Sequence, residues 1–164
     1  MVGLFYPHKL LYERSIVIDK PVYNVYNYIA CLTNHQNFSP WYIQGGTTIV
    51  NCNGGNDASS CGYSCNWTNI NGRIGPGSEE ILCIAEADRV ETIVRLNEPF
   101  INYNYSTLIT EKLNENQTKV TWKMKSHLPN PFNALHLICK YDEKFGSYLE
   151  ESLLLLKQNL ETLE

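Results

Sequence analysis

Residues 142–163 read DEKFGSYLEESLLLLKQNLETL, 22 residues without proline and with one wide apolar stripe. At about 100° per residue, Phe145, Leu149, Ser152, Leu153, Leu156, Leu160 and Leu163 fall on one side of a helix, with Tyr148 and Leu155 on its flank. Glu143, Glu150, Lys157, Gln158 and Glu161 fall opposite, and Leu154 interrupts that charged face. A helix of this length spans about 33 Å and cannot bury such a stripe on itself, so it requires a broad apolar surface to lie against. Asn130 and Pro131 open a shorter helix that passes through Leu135 and Ile138 to Cys139. Were the two helices continuous, Asp142 would enter the apolar stripe, where a carboxylate is costly. A break near Tyr141 instead puts Asp142 at a helix start, where the macrodipole favours it by about 0.3 to 1 kcal/mol.

The broad apolar surface comes from strands. Leu10–Ile18 ends in β-branched residues before Asp19, Lys20 and Pro21, and Pro21 suits the first turn of a helix over Val22–Cys31, where Val22, Val25, Tyr26, Ile29 and Ala30 share a face. Leu32–Trp41 holds a second short helical turn ending in the aromatic pair Trp41 and Tyr42, and Gln44–Val50 reads as a strand. Asn51–Ser60 is rich in glycine, asparagine and serine and reads as a surface loop. Gly62–Thr68 alternates, with Tyr63, Cys65 and Trp67 on one face. Asn71 and Gly72 then favour a tight hairpin within Asn69–Gly77. Ser78–Ala87, Val90–Asn97, Ile101–Leu113 and Lys119–His127 follow as an antiparallel meander.

Face counting assigns an aromatic inner surface to this sheet. Val120, Trp122 and Met124 alternate with Thr121, Lys123 and Lys125, so the apolar set faces inward. By the same rule Tyr103, Tyr105, Thr107 and Ile109 face inward, with Asn102, Asn104 and Ser106 outward. Tyrosines at such positions carry hydroxyls that a dry leucine core leaves unmatched and a ligand satisfies; aromatics on an inner sheet face equally serve as plain core.

The 164 residues, 43% hydrophobic and 12% aromatic, suffice for one core, so a single domain over 1–164 is expected. The 13 basic and 17 acidic residues are scattered and sum to −4, with no basic run to follow a phosphate backbone, so nucleic acid is not an expected partner. Val2, Leu4, Phe5 and Tyr6 are cut off by Pro7, His8 and Lys9, too short a run for a signal peptide or a stable membrane insertion, and the expected location is the cytoplasm. There the six cysteines are expected as free thiols. Cys61 and Cys65 on one extended strand would stand roughly 13 Å apart, beyond bridging distance. His8, His35, His127 and His136 have no spacing that converges on a metal, and neither a nucleophile elbow nor a phosphate loop is present, so no metal, cofactor or catalytic residue is assigned.

Trp41 after the short helices, Gly62 leading to Trp67, Gly75-Pro76-Gly77 before Ile81, Thr118-Lys119-Val120-Thr121-Trp122 and Leu153–Lys157 with Glu161 together resemble the polyketide cyclase/dehydrase-like branch of the SRPBCC (START-related, pollen-allergen-like) superfamily, over roughly residues 10–163. The resemblance implies an α+β helix-grip fold. In that fold a curved antiparallel sheet of six to seven strands wraps a long C-terminal helix, two short helices lie between the first two strands, and a cavity encloses an apolar or amphipathic molecule. Lipid and hormone binding, polyketide ring closure and chaperone assistance all occur on this plan.

The expected ligand-binding set is Trp41, Tyr63, Cys65, Trp67, Glu79, Ile81, Tyr103, Tyr105, Trp122, Met124 and Leu135. Glu79 departs from the family pattern, which has an apolar residue there; alternation with Ile81 aims its carboxylate at the cavity, whereas a one-residue shift would put it in water. Three functions follow as expectations. The first is binding of a small hydrophobic or amphipathic molecule; the second is a cyclase or dehydratase using pocket tyrosines and Glu79; the third is a protein-interaction domain in which Leu154 and the outer sheet contact a partner, a second copy of the chain being one candidate.

Overall fold

The computed structural model describes residues 9–44, 47–53, 57–70, 75–97, 101–127 and 141–162. Strand β1 (Lys9–Ile18) leads into α1 (Val22–Ala30), a 3₁₀ turn (Leu32–Asn37) and the short α2 (Pro40–Ile43). Strands β2 (Thr47–Asn53), β3 (Ser64–Ile70), β4 (Gly77–Ala85), β5 (Arg89–Leu96), β6 (Asn102–Asn114) and β7 (Gln117–His127) follow, and α3 (Tyr141–Thr162) closes the described chain. The strands form one antiparallel sheet in the order β1-β7-β6-β5-β4-β3-β2, a meander to which β1 adds beside β7. The shorter helix expected over Asn130–Cys139, and with it Leu135, lies outside the described residues, as does Leu163.

Helix α3 lies along β1, and the contacts step regularly down both elements. Phe145 packs on Tyr12 with ring centroids 4.9 Å apart. The Arg14 guanidinium Nε donates to Glu150 at 2.6 Å, the Lys157 ammonium to the Val17 carbonyl at 2.8 Å, and the Asp19 amide to Glu161 at 2.8 Å. The apolar stripe is the buried face: Phe145, Leu149, Ser152, Leu153, Leu156 and Leu160 are all enclosed, while Leu154 is 54% exposed. Helix α2 caps the arrangement, with Trp41 on Phe145 at 5.9 Å and Tyr42 edge-on to Trp67 at 5.0 Å.

Two glycines serve the sheet in different ways, one by its backbone conformation and one by close approach. The Gly62 amide donates to the Ile81 carbonyl and the Ile81 amide to the Tyr63 carbonyl, so Gly62 and Tyr63 both oppose Ile81 in a bulge. Gly62 takes φ of 86°, a left-handed value that suits the first position of such a bulge. At Gly77 any side chain would run into the Arg95 carbonyl and the Trp67 ring.

Three expectations are corrected. Strand β2 runs through Asn53, into the stretch read as loop from Asn51. Cys52 and Cys65 are not free thiols: they sit directly opposite each other on β2 and β3 and form a disulfide, leaving Cys31, Cys61 and Cys83 free. Tyr103 and Tyr105 face outward, 43% and 51% exposed, and the buried set on β6 is Asn102, Asn104, Ser106, Leu108 and Thr110. Register explains the inversion. Leu108 pairs with Trp122 and Ser106 with Met124, so β6 must present its even-numbered residues to the side on which Trp122 is buried. The Trp122 indole N–H donates to Ser106 Oγ at 2.8 Å, which gives the buried serine its purpose.

Candidate functional site

Direct cross-strand partners share a face, so the pairings define rows across the concave side of the sheet. Cys52 opposes Cys65, Cys65 opposes Glu79, Glu79 opposes Val94, Val94 opposes Asn104, Asn104 opposes Ser126 and Ser126 opposes Leu10. One row therefore crosses all seven strands and carries a carboxylate, an amide and a hydroxyl among apolar neighbours. Each of the three side chains is buried, and Glu79 Oε2, Asn104 Nδ2 and Ser126 Oγ have no hydrogen-bond partner. Asn102 Oδ1 and Ser39 Oγ, also buried, are likewise unmatched, as is Ser152 Oγ on α3.

Glu79 is held from one side only. Its Oε1 accepts from the Thr92 hydroxyl at 2.9 Å and lies 3.1 Å from His35 Nδ1. The other imidazole nitrogen, Nε2, is 2.8 Å from the Ile29 carbonyl, which only accepts, so Nε2 carries a proton. The Nδ1 to Oε1 contact then holds one further proton, on either the imidazole or the carboxyl. Burial disfavours the imidazolium, but the Glu79 charge, the hydrogen bond to Glu79 and the Ile29 carbonyl together outweigh it and hold His35 above its usual 6.5. The imidazole is thereby more readily protonated than a free one, and the contact holds the proton between the two side chains. Burial first, and then the Glu79 charge, push the Tyr42 phenol well up, so this neighbour stays protonated.

Of the residues expected to line a cavity, Trp41, Cys65, Glu79, Ile81, Trp67, Trp122 and Met124 are at most 2% exposed. All seven therefore belong to the enclosed interior. Tyr63 is 9% exposed in a smaller cluster with Leu32, Cys65 and Ile81. Tyr103 and Tyr105 join none of these, being on the other side of the sheet. His35 and Thr92 went unrecognised in the sequence, where His35 was set against metal spacings alone. On β6, Asn102, Asn104 and Ser106 alternate as regularly as the tyrosines do, so only the pairing with β7 decides which set is buried. Among the described residues no three His, Cys, Asp or Glu side chains converge on a metal position, and no helix is long and apolar enough to cross a membrane.

No family model matches the sequence, and neither does any curated protein. Solved structures do match. Truncated norcoclaurine synthase from Thalictrum flavum superposes with a TM-score of 0.68 over 93% of this chain and 94% of its own, at 10% identity. A protein from Chromobacterium violaceum matches with a TM-score of 0.62 over 94% and 98%, at 13% identity. One from Nitrosospira multiformis matches at 0.61 over 93% and 97%, at 17% identity. This is the SRPBCC-like helix-grip fold. In this chain the concave face of the sheet holds the row of Glu79, Val94, Asn104 and Ser126.

Proposed function

We propose that the protein binds a small hydrophobic or amphipathic molecule between the sheet and α3, with Glu79, Asn104 and Ser126 as polar contacts and Trp67, Ile81, Trp122 and Met124 as apolar walls. The observation that carries this reading is the single row of unmatched polar atoms. Each buried polar atom without a partner costs about 1–3 kcal/mol, a cost that a hydrogen-bonding guest removes. Glu79 Oε2 accepts and Asn104 Nδ2 donates, and two strand spacings of about 4.8 Å separate their backbones. A guest lying over Val94 thus presents a hydroxyl or amine toward β4 and a carbonyl or similar acceptor toward β6.

The fold neighbour norcoclaurine synthase has been solved in complex with dopamine and hydroxybenzaldehyde, which supports a guest of small aromatic size. The proposal keeps the cytoplasm as the working compartment, which requires the Cys52–Cys65 bridge to be reduced there. Native mass spectrometry with organic extraction of the purified protein is the test. A discrete compound held by the parent and lost from Asn104→Leu, with melting retained, is the expected result. A clean mass together with no thermal shift across a lipid and polyketide panel rejects the reading.

The His35 to Glu79 contact favours a second reading, an acid–base enzyme of cyclase or dehydratase type, because one movable proton sits beside the proposed guest. Turnover of a carbonyl substrate that falls at least about a hundredfold in Glu79→Gln supports it, and unaltered turnover removes Glu79 from the chemistry.

A further inference from the structure

The outer face of the sheet carries a cleft of about 670 Å³, whose lining includes Leu11, Tyr103, Tyr105, Thr107, Lys123 and Lys125. This lies within the range of about 300–1,000 Å³ that holds small ligands. Register makes it two columns. Tyr103, Tyr105 and Thr107 on β6 stand directly beside His127, Lys125 and Lys123 on β7. Leu11 on β1 opposes Lys125 from the other side, so this lysine lies between an aliphatic side chain and a phenol ring. Leu11 is 63% exposed, which together with the two tyrosines makes an unusual concentration of open apolar surface.

The charges around the cleft are mostly matched. Lys123 pairs with Glu13 at 3.4 Å, Arg89 with Glu91 at 2.8 Å and Arg95 with Glu80 at 2.8 Å. Lys125 has no ion pair among the described residues, and it stands at the centre of the apolar surface. We propose that this cleft is a second binding site, for a small amphipathic monoanion whose carboxylate or sulfonate meets Lys125 while its aromatic or aliphatic body covers Leu11, Tyr103 and Tyr105. A polyanion is disfavoured, because one unmatched lysine between Glu13 and Glu91, on a chain of net charge −4, gives no track for successive phosphates. The proposal is independent of the interior reading, since the two sites lie on opposite faces of the sheet.

Fluorescence titration of the full chain with the dye anilinonaphthalenesulfonate, against its uncharged relative phenylnaphthylamine, tests the site. Lys125→Glu and Tyr105→Ser should each weaken sulfonate binding about tenfold or more, while Asn104→Leu in the interior row leaves it in place. Both outer substitutions are on open surface, and unaltered melting confirms that the fold is kept. Sulfonate affinity unchanged in Lys125→Glu, or lost instead in Asn104→Leu, or matched by the uncharged dye, would overturn the proposal.

Discussion

His35 Nδ1 and Glu79 Oε1 lie 3.1 Å apart where neither side chain reaches solvent. The two come from the 3₁₀ turn and from β4, so the contact ties the helical cap to the sheet. Folding raises His35 above 6.5, so the folded protein binds more protons than the unfolded chain just above that pH. The stabilisation is then fully present below pH 6.5 and is lost as pH rises through the folded-state value. Urea unfolding across that window should show parent stability falling by at most about 1.4 kcal/mol per pH unit, with the slope absent in His35→Gln. A slope that persists in the variant assigns the effect to another group.

Removing one member of the pair should cost more than removing both. Glu79→Leu strands His35 in a buried site without its counter-charge, an expected loss of about 3–5 kcal/mol. The double variant His35→Leu/Glu79→Leu replaces both polar groups by packed carbon and should recover much of that loss. Additive losses in a double-mutant cycle would show that the two side chains act separately.

Gly77 has no room for a methyl group, being pressed between the Arg95 carbonyl and the Trp67 ring. Gly77→Ala should lower stability by about 1–3 kcal/mol and perturb Trp67 emission, because backbone on one side cannot yield. Chemical denaturation checks this, and a loss below about 0.5 kcal/mol would mean that the β3–β4 pair gives way more easily than its register implies.

Cys52 and Cys65 are 13 positions apart, and closing a loop of this size contributes about 3 kcal/mol through the unfolded chain. Cys52→Ala/Cys65→Ala should therefore lower the denaturation midpoint markedly, with a steeper slope as the released unfolded chain exposes more surface. Alkylating the protein at the moment of cell lysis decides the compartment as well: six modified cysteines correspond to a reduced cytoplasmic protein, four to an oxidised one.

Helix α3 was legible almost residue for residue, because a 22-residue amphipathic pattern has only one face to bury and the stripe from Phe145 to Leu160 is that face. The strands were legible where apolar alternation coincides with burial, as at Val120, Trp122 and Met124. Strand β6 was not, because its large side chains are outside and its small polar ones inside. Alternation fixes which residues go together but not which set faces in; the neighbouring strand decides that. Glu79 stood out by its departure from the family pattern together with its alternation with Ile81, whereas His35 is 44 positions away and only the closing of the 3₁₀ turn over β4 joins them. The disulfide was hidden for a similar reason, since β2 extends past Asn51 to bring Cys52 opposite Cys65.

The inverted β6 also sets a hazard for assembly of the sheet. A one-residue slip against β7 would exchange its faces, carrying Tyr103 and Tyr105 into the interior and Asn102 and Asn104 into water, a competing arrangement that apolar burial alone would reward. What opposes it lies further along the same strand, where Leu108 faces Trp122 and Ser106 receives the indole N–H. Trp122 therefore acts as the pin against a nearly degenerate misfold. Replacing it with phenylalanine would keep the ring but release the pin, and off-register, aggregating chains should appear before native stability is greatly reduced.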